Sequence, residues 1–180
     1  MAPLGAGAQL YPVTDPLVGR FPGLAVGGYR VTSPDSYQYN CIAWAASRDD
    51  RWWWPHQDAF WPPGVPLVVT LQAFEAVYNA IGYTRCADQV FDVRFEKIAI
   101  FANVQDTPTH AARQLESGRW TSKLGPWIDI DHATPDALNG QDYGRPVLFM
   151  SRSRPLWRWT IALLKRAFGL LHERLRQMFA

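Results

Sequence analysis

The stretch Thr109-His110-Ala111-Ala112-Arg113-Gln114-Leu115-Glu116-Ser117-Gly118-Arg119-Trp120-Thr121-Ser122-Lys123-Leu124-Gly125 decides the fold. Residues 110–115 and 119–124 read as two short strands, and Glu116-Ser117-Gly118 between them is hairpin-turn chemistry. Working outward, Lys97-Ile98-Ala99-Ile100-Phe101-Ala102 is an apolar run of strand length, and Pro146 to Met150 is a last strand that closes the sheet. Upstream the signals change to helix. Cys41 to Ala46 holds no breaker, with Asn40 or Ser36 as its cap. Thr70 is an N-cap for a second helix carrying Leu71, Phe74, Val77, Tyr78 and Ile81 on one face, and Gly82 ends it. Helices followed by strands predict an α+β domain with an antiparallel sheet. Residues 1–36, broken by Pro3, Pro12, Pro16, Pro22 and Pro34, read as an irregular arm wrapped on that domain.

At 180 residues with 48% apolar side chains, the chain is long enough to bury one ordinary core. The first nine residues lack the basic cluster and apolar run of a secretory signal, and no stretch reaches the ~18 apolar residues of a spanning helix. A reduced, cytoplasmic protein is therefore expected, with Cys41 and Cys86 unpaired. His56, His110, His132 and His172 lack zinc-ligand spacing, so neither a metal nor any other cofactor is expected. The net charge of +2 hides an asymmetry, because from Arg152 onward seven basic residues face only Glu173. That tail carries +6 and leaves −4 to the preceding body.

The tail has its own periodicity. Trp157, Ile161, Leu164, Phe168, Leu171, Leu175 and Met178 recur at spacings of four and three, an amphipathic helix over residues 155–180 with a basic remainder. The division expected is a domain over 1–151 and a basic amphipathic helix over 152–180. That helix suits a membrane surface, a protein partner or an oligomer seam. Nucleic acid is not favoured, since the aromatic residues do not interleave with the basic ones in any recognised module.

The candidate chemistry lies in Asn40-Cys41-Ile42-Ala43-Trp44-Ala45 and in His110. A thiol at a helix start with a long-range imidazole is the equipment of a cysteine nucleophile and its base, which predicts a Cys41 pKa well below the ~8.5 of a free thiol. A third group should orient His110 through its other ring nitrogen. Ser122 suits that role by spacing, while Asp129 or Asp131 suits it by chemistry, and Asp129 is the one favoured. The oxyanion donors expected are the Cys41 amide and the side chain of Asn40 or Gln38. Trp54, within the cluster Trp52, Trp53, Trp54 and Trp61, and Trp120 are the candidate substrate walls. Asp129-Ile130-Asp131-His132 reads as a loop with an orienting aspartate rather than a metal site.

Two resemblances attach to these segments. Helix-borne Cys41 followed by strand-borne His110 resembles the papain-like cysteine hydrolases, and the hairpin after His110 is similar to their NlpC-type branch, in which the third residue stands where Ser122 is. That resemblance implies a papain-like fold, with N-terminal helices carrying the cysteine packed on a small antiparallel sheet carrying the histidine. It also implies a peptidase or amidase. The four segments at 40–45, 110–115, 120–125 and 129–132 resemble an uncharacterised bacterial domain family, which implies no particular activity. A second expectation is a non-enzymatic binding or adaptor module on a degenerate scaffold of that kind, docking through its C-terminal helix, for which Ser122 is the sequence argument.

Overall fold

Residues 15–156 are described by a computed structural model of the protein. Its framework is one seven-stranded sheet, β1 (Tyr29–Ser33), β2 (Thr84–Arg85), β3 (Phe95–Ala102), β4 (Pro108–Gln114), β5 (Trp120–Lys123), β6 (Asp129–His132) and β7 (Arg145–Ser153). The spatial order is β1-β6-β5-β4-β3-β7-β2, and every neighbouring pair is antiparallel. The hairpin read from the sequence lies at the centre, with β4 between β3 and β5 and with Arg113 opposite Thr121.

Alternation along the central strands sends side chains to two separate cores. On one face, Ile98, Ile100, Ala111 and Met150 pack against α3 (Cys41–Ala45) and α4 (Leu71–Asn79). On the other, Ala99, Phe101, Ala112, Trp120 and Ile130 pack against Phe21 and Leu24 of the arm and against a 3-10 turn, Pro135–Leu138. The arm is not irregular here. It forms α1 (Pro16–Arg20), capped by Asp15, then α2 (Leu24–Gly27), and enters the sheet as β1.

This architecture corrects the fold expected. The sheet dominates, the helices on it run from four to nine residues, and the arrangement is not a papain-like set of helices on a small sheet. Two causes are visible. Residues 29–33 and 129–132, read as arm and loop, pair with each other as β1 and β6 and widen the sheet. The helix of Cys41, close to the span read for it, is also too short to dominate the sheet: Ser47 takes a left-handed φ of 61°, with its N–H on the Trp44 carbonyl and the Arg48 N–H on the Ala43 carbonyl, a Schellman ending. The boundary expected between 151 and 152 falls inside β7, where Arg152 pairs with Glu96. The amphipathic helix expected over 155–180 lies outside the described residues, apart from its first two positions. Among the described residues no helix is long and apolar enough to cross a membrane.

Candidate functional site

Asn40 organises the start of α3. Its Oδ1 accepts the Ala43 N–H at 3.1 Å, which caps the helix, and also the Trp53 N–H at 3.3 Å, while its Nδ2 donates to the Trp53 carbonyl at 2.7 Å. One buried amide therefore fixes both the helix and the aromatic loop that follows it. These bonds use both roles of the side chain but only one of the two Nδ2 N–H groups, and Asn40 also lines the cleft that holds Cys41. Gln38 is exposed, in a turn in which its N–H bonds the Ser36 hydroxyl.

Cys41 takes the first helical position and is 7% exposed, on the wall of a cleft of about 330 Å³ lined also by Asn40, Trp52, Trp54, Thr109, Gly125 and Tyr143. No charged side chain lines that cleft. Burial pushes the Cys41 thiol up to about 11, against the expectation of a lowered pKa. Three backbone amides oppose the burial and favour the thiolate, those of Ala111, Ile42 and Cys41 itself. Of the two walls expected, Trp54 lines this cleft, with its ring edge-on to Phe74. Trp120 does not: it is 2% exposed in the opposite core, edge-on to Phe149.

His110 is the third residue of β4, beside Ala111, and its ring turns toward the core opposite to that of Cys41. It meets Phe101 edge-on at 5.1 Å and stacks on Tyr143 at 4.0 Å. No hydrogen bond joins it to Cys41; the two meet through Ala111, whose amide acts on the thiol, and through Tyr143, whose ring stacks on the imidazole and lines the cleft beside the thiol. Tyr143 is held on both ring faces and through its backbone. Phe21 stacks on its other face at 5.1 Å, Thr109 Oγ1 donates to its carbonyl at 2.6 Å, and Arg20 pairs with Asp142. Its turn needs Gly144, at φ +69°, where a Cβ would stand 1.9 Å from the Ala102 carbonyl oxygen.

A buried chain of hydrogen bonds runs behind His110. Its Nε2 lies 3.0 Å from Ser122 Oγ, which lies 2.9 Å from His132 Nε2, and His132 Nδ1 lies 2.7 Å from the Thr134 carbonyl oxygen. A carbonyl only accepts, so His132 Nδ1 carries a proton. Burial holds the His132 ring down to about 4, which keeps it neutral and makes its Nε2 an acceptor for the Ser122 hydroxyl. Ser122 Oγ then accepts from His110 Nε2–H. Burial and His132 hold His110 down to about 3, so its Nδ1 is left bare, and that atom is buried without a partner among the described residues.

Ser122 is thus the group bonded to His110, and Asp129 is engaged elsewhere. Asp129 Oδ2 accepts the Tyr39 hydroxyl at 2.6 Å, and its Oδ1 stands 3.8 Å from Lys123 Nζ. Lys123 is fully buried, donates to the Trp127 carbonyl and lies over the Tyr39 ring at 4.8 Å. Asp131 is ion-paired with Arg30 and Arg119. Sequence reasoning missed His132 as a member of the site. The available signal was alternation along Asp129–His132, which sets His132 on the side away from both aspartates. Among the described residues no group of three His, Cys, Asp or Glu side chains is arranged to hold a metal.

Fold and site together define an antiparallel-sheet protein with a helix-start cysteine in an aromatic cleft and a histidine relay beside it. The chain belongs to the family of a domain of unknown function (DUF7689), whose family model matches residues 30–151, from β1 to β7. No curated protein and no solved structure matches the chain.

Proposed function

We propose that this protein is a cysteine hydrolase that cleaves a peptide or amide bond through a thioester on Cys41, with His110 as base. The observation that carries this reading is the one-way relay from His110 to Thr134, which leaves His110 Nδ1 bare and ready to take a proton. At rest thiol and imidazole are both neutral and, among the described residues, are linked only through Ala111 and Tyr143, so the Cys41 proton passes to Nδ1 through a bridging water as the sulfur attacks the carbonyl carbon. The imidazolium so formed keeps its Nε2–H on Ser122 and its face on the Tyr143 ring, a cation–π contact. Collapse of the tetrahedral adduct breaks the C–N bond, and Nδ1 returns the proton to the amine. Water then attacks the thioester, gives its proton to Nδ1 and releases the acid, and the thiol recovers the proton. The uncharged walls of Trp52, Trp54 and Tyr143 suit a flat or apolar substrate group beside the scissile bond.

The test is acylation by a panel of activated amides and p-nitrophenyl esters, with the adduct mapped by mass spectrometry. An acyl group on Cys41, formed at least tenfold more slowly in His110→Ala, supports the reading. A second reading, a binding module without catalysis, is favoured by the neutral thiol and imidazole of the resting site. It predicts no acylation of Cys41, or a rate that His110→Ala leaves unchanged.

A further inference from the structure

We infer that a second pocket, reached by Ser47 just past the C-terminal end of α3, binds a small monocarboxylate through the guanidinium of Arg113. The pocket has a volume of about 300 Å³ and shares no lining residue with the cysteine cleft. Its cations are Lys97, Arg113 and Arg154, and its carboxylates are Glu96 and Glu116. Lys97 Nζ is paired with Asp88 at 2.8 Å, and Arg154 with Glu116 at 3.3 Å and Glu96 at 3.8 Å. Arg113 is paired with no carboxylate among the described residues. Its Nε donates to the Trp44 carbonyl at 3.0 Å and its guanidinium lies 4.5 Å over the Trp44 ring. No hydrogen bond to a described residue uses its terminal nitrogens, and neither is among the fully buried polar atoms left unpartnered.

A guanidinium fixed at Nε and along its face, with its outer nitrogens open to a cavity, is the fork that a carboxylate completes with two parallel hydrogen bonds. Burial lowers the Arg113 pKa, which marks a cation held out of water without full compensation. Glu96 is also paired with Arg152 at 2.7 Å, so Lys97 is balanced by Asp88, and Arg152 and Arg154 by Glu96 and Glu116; among the described residues the positive charge of Arg113 is left to neutralise, which suits a monoanion. Glu96 and Glu116 oppose a dianionic phosphate. Tyr83 and Leu115 supply flat and apolar wall for the remainder of the ligand.

The test titrates the full chain with sodium benzoate, with benzamide as the isosteric neutral control and inorganic phosphate as the control for any anion. Binding is read from the NMR resonance of the Arg113 Nε–H and from thermal melting. The expected result is a saturable shift and a raised Tm with benzoate alone. In Arg113→Lys, which keeps the charge and loses the fork, binding falls about tenfold. In Cys41→Ser it is unchanged, so this inference stands or falls separately from the hydrolase. Absence of a benzoate shift, binding of benzamide or phosphate as tight as that of benzoate, or full affinity in Arg113→Lys would each overturn it.

Discussion

Replacing Ser122 by Ala removes one oxygen and breaks two buried hydrogen bonds, those of 3.0 Å to His110 and 2.9 Å to His132. Ser122 is fully buried, so no water enters to replace the hydroxyl. The His110 Nε2–H and the His132 Nε2 lone pair are both orphaned. Each buried orphan costs ~1–3 kcal/mol, and relaxation of the two rings around the methyl group that remains recovers part of the sum. A loss of about 2–4 kcal/mol follows, a large share of the ~5–15 kcal/mol of an ordinary domain. At ~3 °C per kcal/mol for a domain of this size, Tm falls by roughly 6–12 °C. The same change frees the His110 proton to sit on either nitrogen, which reduces the population of rings with a bare Nδ1 and slows acylation of Cys41. Urea denaturation gives the first quantity and intact-mass kinetics the second. A stability change within ~0.5 kcal/mol, together with an unchanged acylation rate, would refute the relay.

Other consequences follow from the same geometry. Both buried histidines have pKa values below the ordinary 6.5, at about 3 and about 4, so the unfolded chain binds more protons than the folded one between those limits. Stability is full above pH ~6.5 and falls as pH drops, by up to ~1.4 kcal/mol per pH unit for each histidine, before carboxylates contribute near pH 4; denaturation at pH 7, 6 and 5 measures it. Asn40→Ala removes the cap of α3 and the clamp on Trp53, three hydrogen bonds in all, and is expected to cost about 2–4 kcal/mol in a thermal melt. Asn40→Asp keeps the cap acceptor, loses the donor to the Trp53 carbonyl and falls between the two. With the thiol raised to about 11, alkylation of Cys41 by iodoacetamide in a Cys86→Ser background is expected to keep rising through pH 9; a plateau below neutrality would contradict the burial described for it.

What the sequence disclosed and what it hid differ in physical kind. The hairpin around Gly118 and the helix capped by Thr70 are written locally, in turn and cap chemistry, and the structure has β4, β5 and α4 within a residue or two of the spans read. Strand β6 was hidden because aspartates at 129 and 131 argue against a buried strand. Their burial depends on Tyr39, Lys123, Arg30 and Arg119, partners that only the folded chain brings together. Strand β1 was hidden for another reason: it lies at the sheet edge, mostly exposed, and its short alternation of Tyr29 and Val31 with Arg30 and Thr32 sits in a Pro- and Gly-rich context. At the site, Cys41 and His110 were legible as a helix-start thiol and a strand histidine. The depth of their burial was not, and neither was the Ser122 to His132 link, which crosses between neighbouring strands. Trp120 shows the same limit, because an aromatic residue on a strand reads alike whether it faces a cleft or a core.

The measurement that bears most directly on this account is the protonation state of His110 in the native chain, read by long-range proton–nitrogen correlation NMR. A proton on Nε2 alone at pH 7, with Nδ1 bare and the ring still neutral at pH 5, is the result the relay predicts. A proton on Nδ1, or an imidazolium at pH 7, would contradict it and remove His110 as the base for Cys41.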